Sequence, residues 1–271
     1  MKSAVVPNPW QHLRRYTAAR IALGRAGDSL PTRALLDFGL AHAQARDAVR
    51  LPLDRPALEG RLGAAGMPHV AVHSAAADRS AYLRRPDWGR RLDDASRMRL
   101  ADAAASASRK RPALGQPKVA AADVAFVIAD GLSAPAVMAH ALPLLEEVLA
   151  RLTGWRVAPI VIAEQARVAL GDEIGAILDA QQAVMLIGER PGLSSPDSLG
   201  VYLTFAPRIG RTDAERNCIS NVRPEGLTYP LAAHKLAYLL HAARQLGRTG
   251  VALKDESDLL PDTATRPPAI E

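Results

Sequence analysis

The stretch GERPGLSSPDSLG, residues 188–200, gathers residue types that meet ligands. Gly188, Gly192 and Gly200 let backbone approach a ligand closely, while Pro191 and Pro196 limit how far the loop wanders. Ser194, Ser195 and Ser198 add small hydrogen-bonding groups. Such a loop suits a large, amide-rich, mostly uncharged ligand, and a rigid surface turn fits the same composition. Two shorter stretches resemble it in placement: Asp130-Gly131-Leu132-Ser133 and Glu164-Gln165-Ala166-Arg167-Val168. Cys218, the single cysteine, stands among Arg216, Asn217, Ser220, Asn221 and Arg223. A lone cysteine is commonly a small buried hydrophobe, but these neighbours work against full burial. Its segment reads as a loop followed by a turn at Pro224-Glu225-Gly226.

Other chemistry is thin. The seven histidines are scattered, and only His69 and His73 have the four-residue spacing of one helix face. No cysteine or carboxylate cluster accompanies them, so a metal site has little support. The chain has no G-x-G-x-x-G after its first apolar strand and no G-x-x-x-x-G-K-[ST]. It also lacks the G-x-S-x-G nucleophile elbow. Dinucleotide binding, a phosphate-cradling loop and α/β-hydrolase chemistry lose their main sequence support.

The elements that would position these groups fall into two textures. Residues 1–16, with Pro7 and Pro9, read as a mobile N-terminal arm, and 17–118 as a mainly helical region. There the pattern predicts a short helix over 17–23 and a second opening at Pro31-Thr32, with Thr32 as N-cap. Leu35, Leu36, Leu40 and Ala43 would face the core along that second helix. Pro52 and Pro56 read as breaks, and 90–110 as a helix with Leu92, Ala95 and Leu100 inward. Residues 110–118, with Pro112, Gly115 and Pro117, read as a linker.

From 119 to 254 short apolar runs alternate with helical patterns. Runs at 124–129, 157–163, 183–187 and 202–206 alternate with helices at 134–152, 171–180 and 229–246. Continuous apolar strands between helices predict an α/β fold with a Rossmann-like open, mainly parallel sheet. Ligands bind such sheets beyond the carboxyl ends of the strands, where all three loops lie. Residues 255–271 read as a C-terminal tail.

Composition sets the outer bounds. The 271 residues are 48% apolar, enough for a substantial core, and 23% charged. No apolar run reaches the roughly 18 residues of a membrane span, and the first residues lack a secretory signal's apolar centre. With one cysteine, no internal disulfide forms. A cytoplasmic setting is the expectation. The net charge of +6 reflects arginine in an Ala-rich chain, and aromatics at 4% leave little for base stacking, so nucleic acid is not an expected partner.

Four stretches together resemble the light chain of adenosylcobalamin-dependent ethanolamine ammonia-lyase. They are RIALGRAGDSLPTRALLDFGLAHAQARDAV (20–49), DVAFVIADGLSA (123–134), RVALGDEIGAILDA (167–180) with GERPGLSSPDSLGVYLTFAPR (188–208), and DAERNCISNVRPEG (213–226). The resemblance runs from about Arg20 onward and rests on their order in one chain; the arm and residues 255–271 are poorly covered. It implies a subunit of a carbon–nitrogen lyase that converts ethanolamine to acetaldehyde and ammonia. It further implies a hetero-oligomer in which a large subunit binds ethanolamine and this chain covers the cobalamin at the interface. A structural assembly subunit that never touches the cofactor is the alternative.

The family's cofactor contacts carry over to Val168 of R-V-x-x-x-D/E, Glu189 of G-E-R-P-G and Cys218 of C-I-S-N. Glu189 would accept from corrin amides, Val168 would give apolar contact, and Cys218 would pack without ligating cobalt. The D-x-H-x-x-G signature of mutases that replace the cofactor's own base is absent, so the resemblance implies a base-on cobalamin. No general acid or base is assigned to this chain. Family members also travel in bacterial microcompartments, with an N-terminal extension as the address. Here residues 1–16 are short and broken by two prolines, which leaves a free cytosolic complex on an equal footing.

Overall fold

A computed structural model describes residues 5–109 and 120–259. One six-stranded sheet organises them. Its strands are β1 (His69–His73), β2 (Ala122–Ala129), β3 (Ile160–Glu164), β4 (Ala180–Gly188), β5 (Leu199–Phe205) and β6 (Arg216–Val222), in the order β1-β3-β2-β4-β5-β6. The first four run parallel. β5 runs antiparallel to β4, and β6 antiparallel to β5.

The α/β class therefore holds, but the Rossmann-like, mainly parallel sheet needs correction: the sheet is mixed. The reason lies in the connections. A parallel neighbour needs a crossover of a dozen or more residues, usually helical. Residues 189–198 link β4 to β5 without a helix, and 206–215 link β5 to β6 with only a short 3-10 turn at Asp213–Glu215. Both links return the chain beside itself.

The central strand β2 is buried at every position. Val124, Phe126 and Ile128 enter one core, shared with α2 (Arg55–Ala64), α5 (Ala134–Arg151) and α7 (Tyr229–Leu246). Ala125, Val127 and Ala129 enter a second core on the opposite face. There α4 (Asp94–Arg109) and α6 (Leu170–Ile177) supply Leu100, Leu170 and Ile174. Complete burial of Phe126 and Ile128 stabilises the fold by roughly 1.5–3 kcal/mol each. Local signals agree where the sequence was read well. The Ser133 hydroxyl accepts from the Ala136 amide at 3.3 Å to cap α5, and Gly247 at φ 71° closes α7.

The N-terminal region departs more from expectation. No helix forms over 17–23. Instead Pro9–Tyr16 is a 3-10 helix, and Val6 pairs with Arg25 through bonds of 2.8 and 3.1 Å. A lone helical turn carries a costly nucleus, and extended pairing around Gly24 at φ 78° displaces it. Helix α1 (Thr32–Arg50) starts on Pro31, without a side-chain cap, so Thr32 is its first residue and not its cap.

The leucine stripe of α1 faces outward. Leu35, Leu36 and Leu40 are 57%, 66% and 61% exposed, and Ala41, Ala45 and Ala48 are buried instead. Those alanines recur at helical spacing, and small side chains allow close approach to α5. Pro56 does not break the chain; it sits in the first turn of α2, where its missing amide costs nothing. Leu92, just ahead of α4, and Leu100 within it are buried but Ala95 is exposed, because the helix begins only at Asp94. Ser96 takes the inward position and accepts from the His73 amide at 2.8 Å.

His69 and His73 lie on strand β1, not on a helix, so the expected shared helix face does not exist. Each ring lies against a nearby carbonyl, Met67 at 3.0 Å and Ser74 at 2.7 Å. Among the described residues no His/Cys/Asp/Glu cluster could hold a metal, and no helix is long and apolar enough to cross a membrane. The linker read at 110–118 lies outside the described residues, as do residues 1–4 of the arm and 260–271 of the tail.

Candidate functional site

The loops after β2, β3 and β4 share one end of the sheet, and Asp130 ties two of them together. One of its carboxylate oxygens accepts from the amides of Gly131 at 2.9 Å and Ala166 at 3.0 Å. The other accepts from the Gln165 amide at 2.9 Å and from Arg79 at 3.4 Å. Burial pushes this carboxyl above its ordinary value, against the pull of Ala166, Arg79, Gln165 and Gly131. All four partners are donors, so the group accepts as a carboxylate. Tyr82 reinforces the arrangement: its hydroxyl donates to the Ala166 carbonyl at 3.1 Å, and Arg79 and Arg167 stack on its ring at 4.6 and 4.2 Å. Sequence reasoning left Asp130 without a role. It fixes the turn that carries Val168.

The loop between β4 and β5 is held at several points. Ser133 donates to the Pro196 carbonyl at 2.8 Å, Arg223 reaches Asp197 at 3.3 Å, and Arg20 donates to the Leu193 carbonyl at 3.1 Å. Gly188 and Gly131 sit where added Cβ atoms would strike the Ser133 carbonyl and the Gly188 carbonyl respectively. This loop is therefore a built feature of the sheet end.

Glu189 and Cys218 meet around Tyr202. In the β5–β6 register Tyr202 stands opposite Cys218. A Cβ on Gly200 would lie 3.0 Å from the Glu189 side chain and 3.3 Å from the Tyr202 ring. Glu189 also accepts from the Asn221 amide at 3.2 Å. Burial, then the neighbouring Cys218 and Glu189, push the Tyr202 hydroxyl well above its usual value. Cys218 is an exposed thiol with its sulfur 3.5 Å from the Ser220 hydroxyl. It lies on strand β6, so the loop expected ahead of the turn at Pro224-Glu225-Gly226 is corrected to a strand over Arg216–Val222. Its buried positions Arg216, Ile219 and Val222 fall three apart, so no two-residue alternation announced the strand. Nothing in the sequence pattern singled out Tyr202.

Val168 lies just ahead of α6, on the same side of the sheet, and packs with Tyr202 onto the second core. It also lines an arginine-rich cleft of about 590 Å³. A buried ion pair links α6 to β6 beside it: Arg216 donates to Asp172 at 2.6 and 2.7 Å, and to Thr204 at 2.8 Å. Burial pushes the Asp172 carboxyl up against the pull of Arg216. Burial also opposes charge on Arg216, yet its bonds to Asp172 hold it above its usual value.

Fold and site define a mixed α/β protein that gathers three loops at one end of its sheet, beside a partly exposed stretch of β5 and β6. The sequence profile of the ethanolamine ammonia-lyase light chain (EutC) family matches residues 7–254. The ethanolamine ammonia-lyase small subunit of Azotobacter vinelandii is 57% identical over 260 residues, covering 95% of this chain and 92% of that protein. That of Pseudomonas aeruginosa is 56% identical over 261 residues, covering 96% and 92%. That of Ralstonia nicotianae is 56% identical over 259 residues, covering 95% and 92%. The chain belongs to the ethanolamine ammonia-lyase light chain family.

Proposed function

We propose that this chain works as the small subunit of an ethanolamine ammonia-lyase and, with a large subunit, holds base-on adenosylcobalamin at their interface. The observation that carries the reading is the meeting of Glu189 and Cys218, distant in sequence, beside Tyr202. A corrin presents a flat apolar face rimmed by amides. The residues here fit that chemistry: Tyr202 and Val168 give apolar contact, Gly200 lets the Glu189 side chain lie close beside Tyr202, and Glu189 is an acceptor for amide N–H groups. Cys218 packs at the edge of this surface. The contacts fall within the 119–254 stretch, and α2 and α4 of the preceding region buttress its sheet.

When bound, the cofactor supplies radical chemistry through homolysis of its cobalt–carbon bond. This chain's own residues bind, orient and exclude water; the groups that act on ethanolamine belong to the large subunit. The setting is cytoplasmic, with a bacterial microcompartment as the family's other location.

Co-expression with the large subunit tests the reading. The purified complex should show the cobalamin absorption spectrum and release acetaldehyde from ethanolamine. If paired substitutions at Glu189 and Cys218 leave the cobalamin dissociation constant unchanged, the chain is an assembly subunit that does not touch the cofactor.

A further inference from the structure

The cleft beside Val168 lies between the turn at 86–91, the start of α6 and the 209–216 connection. Its arginines are Arg90, Arg91, Arg167, Arg211 and Arg216, and its carboxylates are Asp87, Asp172 and Asp213. Pairing divides them unequally. Arg211 binds Glu215, and Arg216 binds Asp172 and, at 3.5 Å, Asp213. Asp87 is held by Arg85, outside the cleft lining, at 2.7 and 3.0 Å. Every carboxylate of the cleft thus has a cation. Among the described residues Arg90, Arg91 and Arg167 form no contact ion pair with a carboxylate; Arg91 acts on Asp87 only through its field, as a minor influence beside Arg85. Arg167 is braced on the Tyr82 ring, and its buried Nε lacks a hydrogen-bond partner.

We propose that this cleft seats a phosphate group, the phosphodiester of a nucleotide-bearing ligand. The proposal rests on the cobalamin reading above and extends it to a part of the ligand that Val168, Glu189 and Cys218 do not address. Guanidinium forks match phosphate oxygens in geometry and charge. Corrin amides are uncharged, whereas the nucleotide tail of a cobalamin carries one negative phosphodiester. The two regions are continuous: Val168 lines the cleft, and the Thr204–Arg216 pair is the next same-face pair along from Tyr202–Cys218.

Dissociation constants of the complex with the large subunit, for cyanocobalamin and for dicyanocobinamide, test it. The second ligand keeps the corrin but lacks the nucleotide and its phosphate. Arg90→Ala/Arg91→Ala should weaken cyanocobalamin about tenfold and leave dicyanocobinamide unchanged, the order expected for losing charge-assisted hydrogen bonds. Unchanged dicyanocobinamide binding also reports an intact fold, and Arg91→Lys should retain part of the discrimination. Equal losses for both ligands, or none for either, overturn the proposal. Inorganic phosphate separates the sources. Competition with cyanocobalamin but not with dicyanocobinamide supports the tail. Phosphate that binds a complex already saturated with cyanocobalamin, and is lost in the double variant, assigns the cleft to a free anion and overturns the tail. A wild-type complex that binds neither corrinoid removes the cofactor reading and the seat with it. Binding of both without discrimination by the variants removes the seat alone.

Discussion

At the scale of single residues, Glu189 offers the sharpest test. Glu189→Ala removes an acceptor that faces Tyr202 and Asn221, and should weaken cobalamin binding by about 1–2 kcal/mol, the order for a lost hydrogen bond to a charged group. Equilibrium dialysis of the complex reads it; an unchanged constant excludes Glu189 from the site. Glu215 gives a prediction for acid pH. The Thr212 amide first, and Arg211 next, hold its carboxyl down at about 2. A depressed carboxylate contributes stability above its unfolded value, near 4.3, that is lost as pH falls through the folded one. The turn at Asp213–Glu215 should therefore persist at pH 4 and loosen toward pH 2, with an NMR titration of the Glu215 side chain following it. Composition and spacing did not reveal these roles. Val168, Glu189 and Cys218 came from family resemblance, and Tyr202 was invisible because its partners arrive through strand register, which a linear reading does not show.

At the scale of elements, two devices hold the site end together. The Asp172–Arg216 pair pins α6 to β6 with both side chains only 2% exposed. Asp172→Ala leaves a buried guanidinium without its partner and should destabilise the protein by about 3–5 kcal/mol in urea unfolding. A loss under 1 kcal/mol would show that the pair is not structural. Gly131, at φ 55°, abuts the Gly188 carbonyl. Gly131→Ala adds both steric conflict and backbone strain, and should cost about 1–3 kcal/mol with a matching fall in Tm. Elements with strong one-dimensional signals were legible: β2, α5 and α7 carry long apolar runs or clear caps. β1 and β6 were missed because edge strands are short and half exposed, so their patterns are weak. The direction of β5 was missed because strand orientation depends on connection length and helix content, not on the strand's own residues.

At the scale of the whole molecule, the leucines of α1 at 35, 36 and 40 leave large apolar side chains exposed to water. Large exposed apolar rows bind dyes and promote association. The isolated chain should enhance anilinonaphthalene sulfonate fluorescence in its native state, and Leu36→Arg should reduce that signal without lowering Tm. The sheet order carries one more consequence, for synthesis. His69 on β1 finds its partner in Ile160 on β3, and β3 must itself settle against β2. While the ribosome is still making the middle of the chain, β1 has no neighbour to join. It should lock only after β3 has joined β2 and be the first strand to exchange its amide hydrogens, so the chain's earliest strand is completed by residues made some ninety positions later.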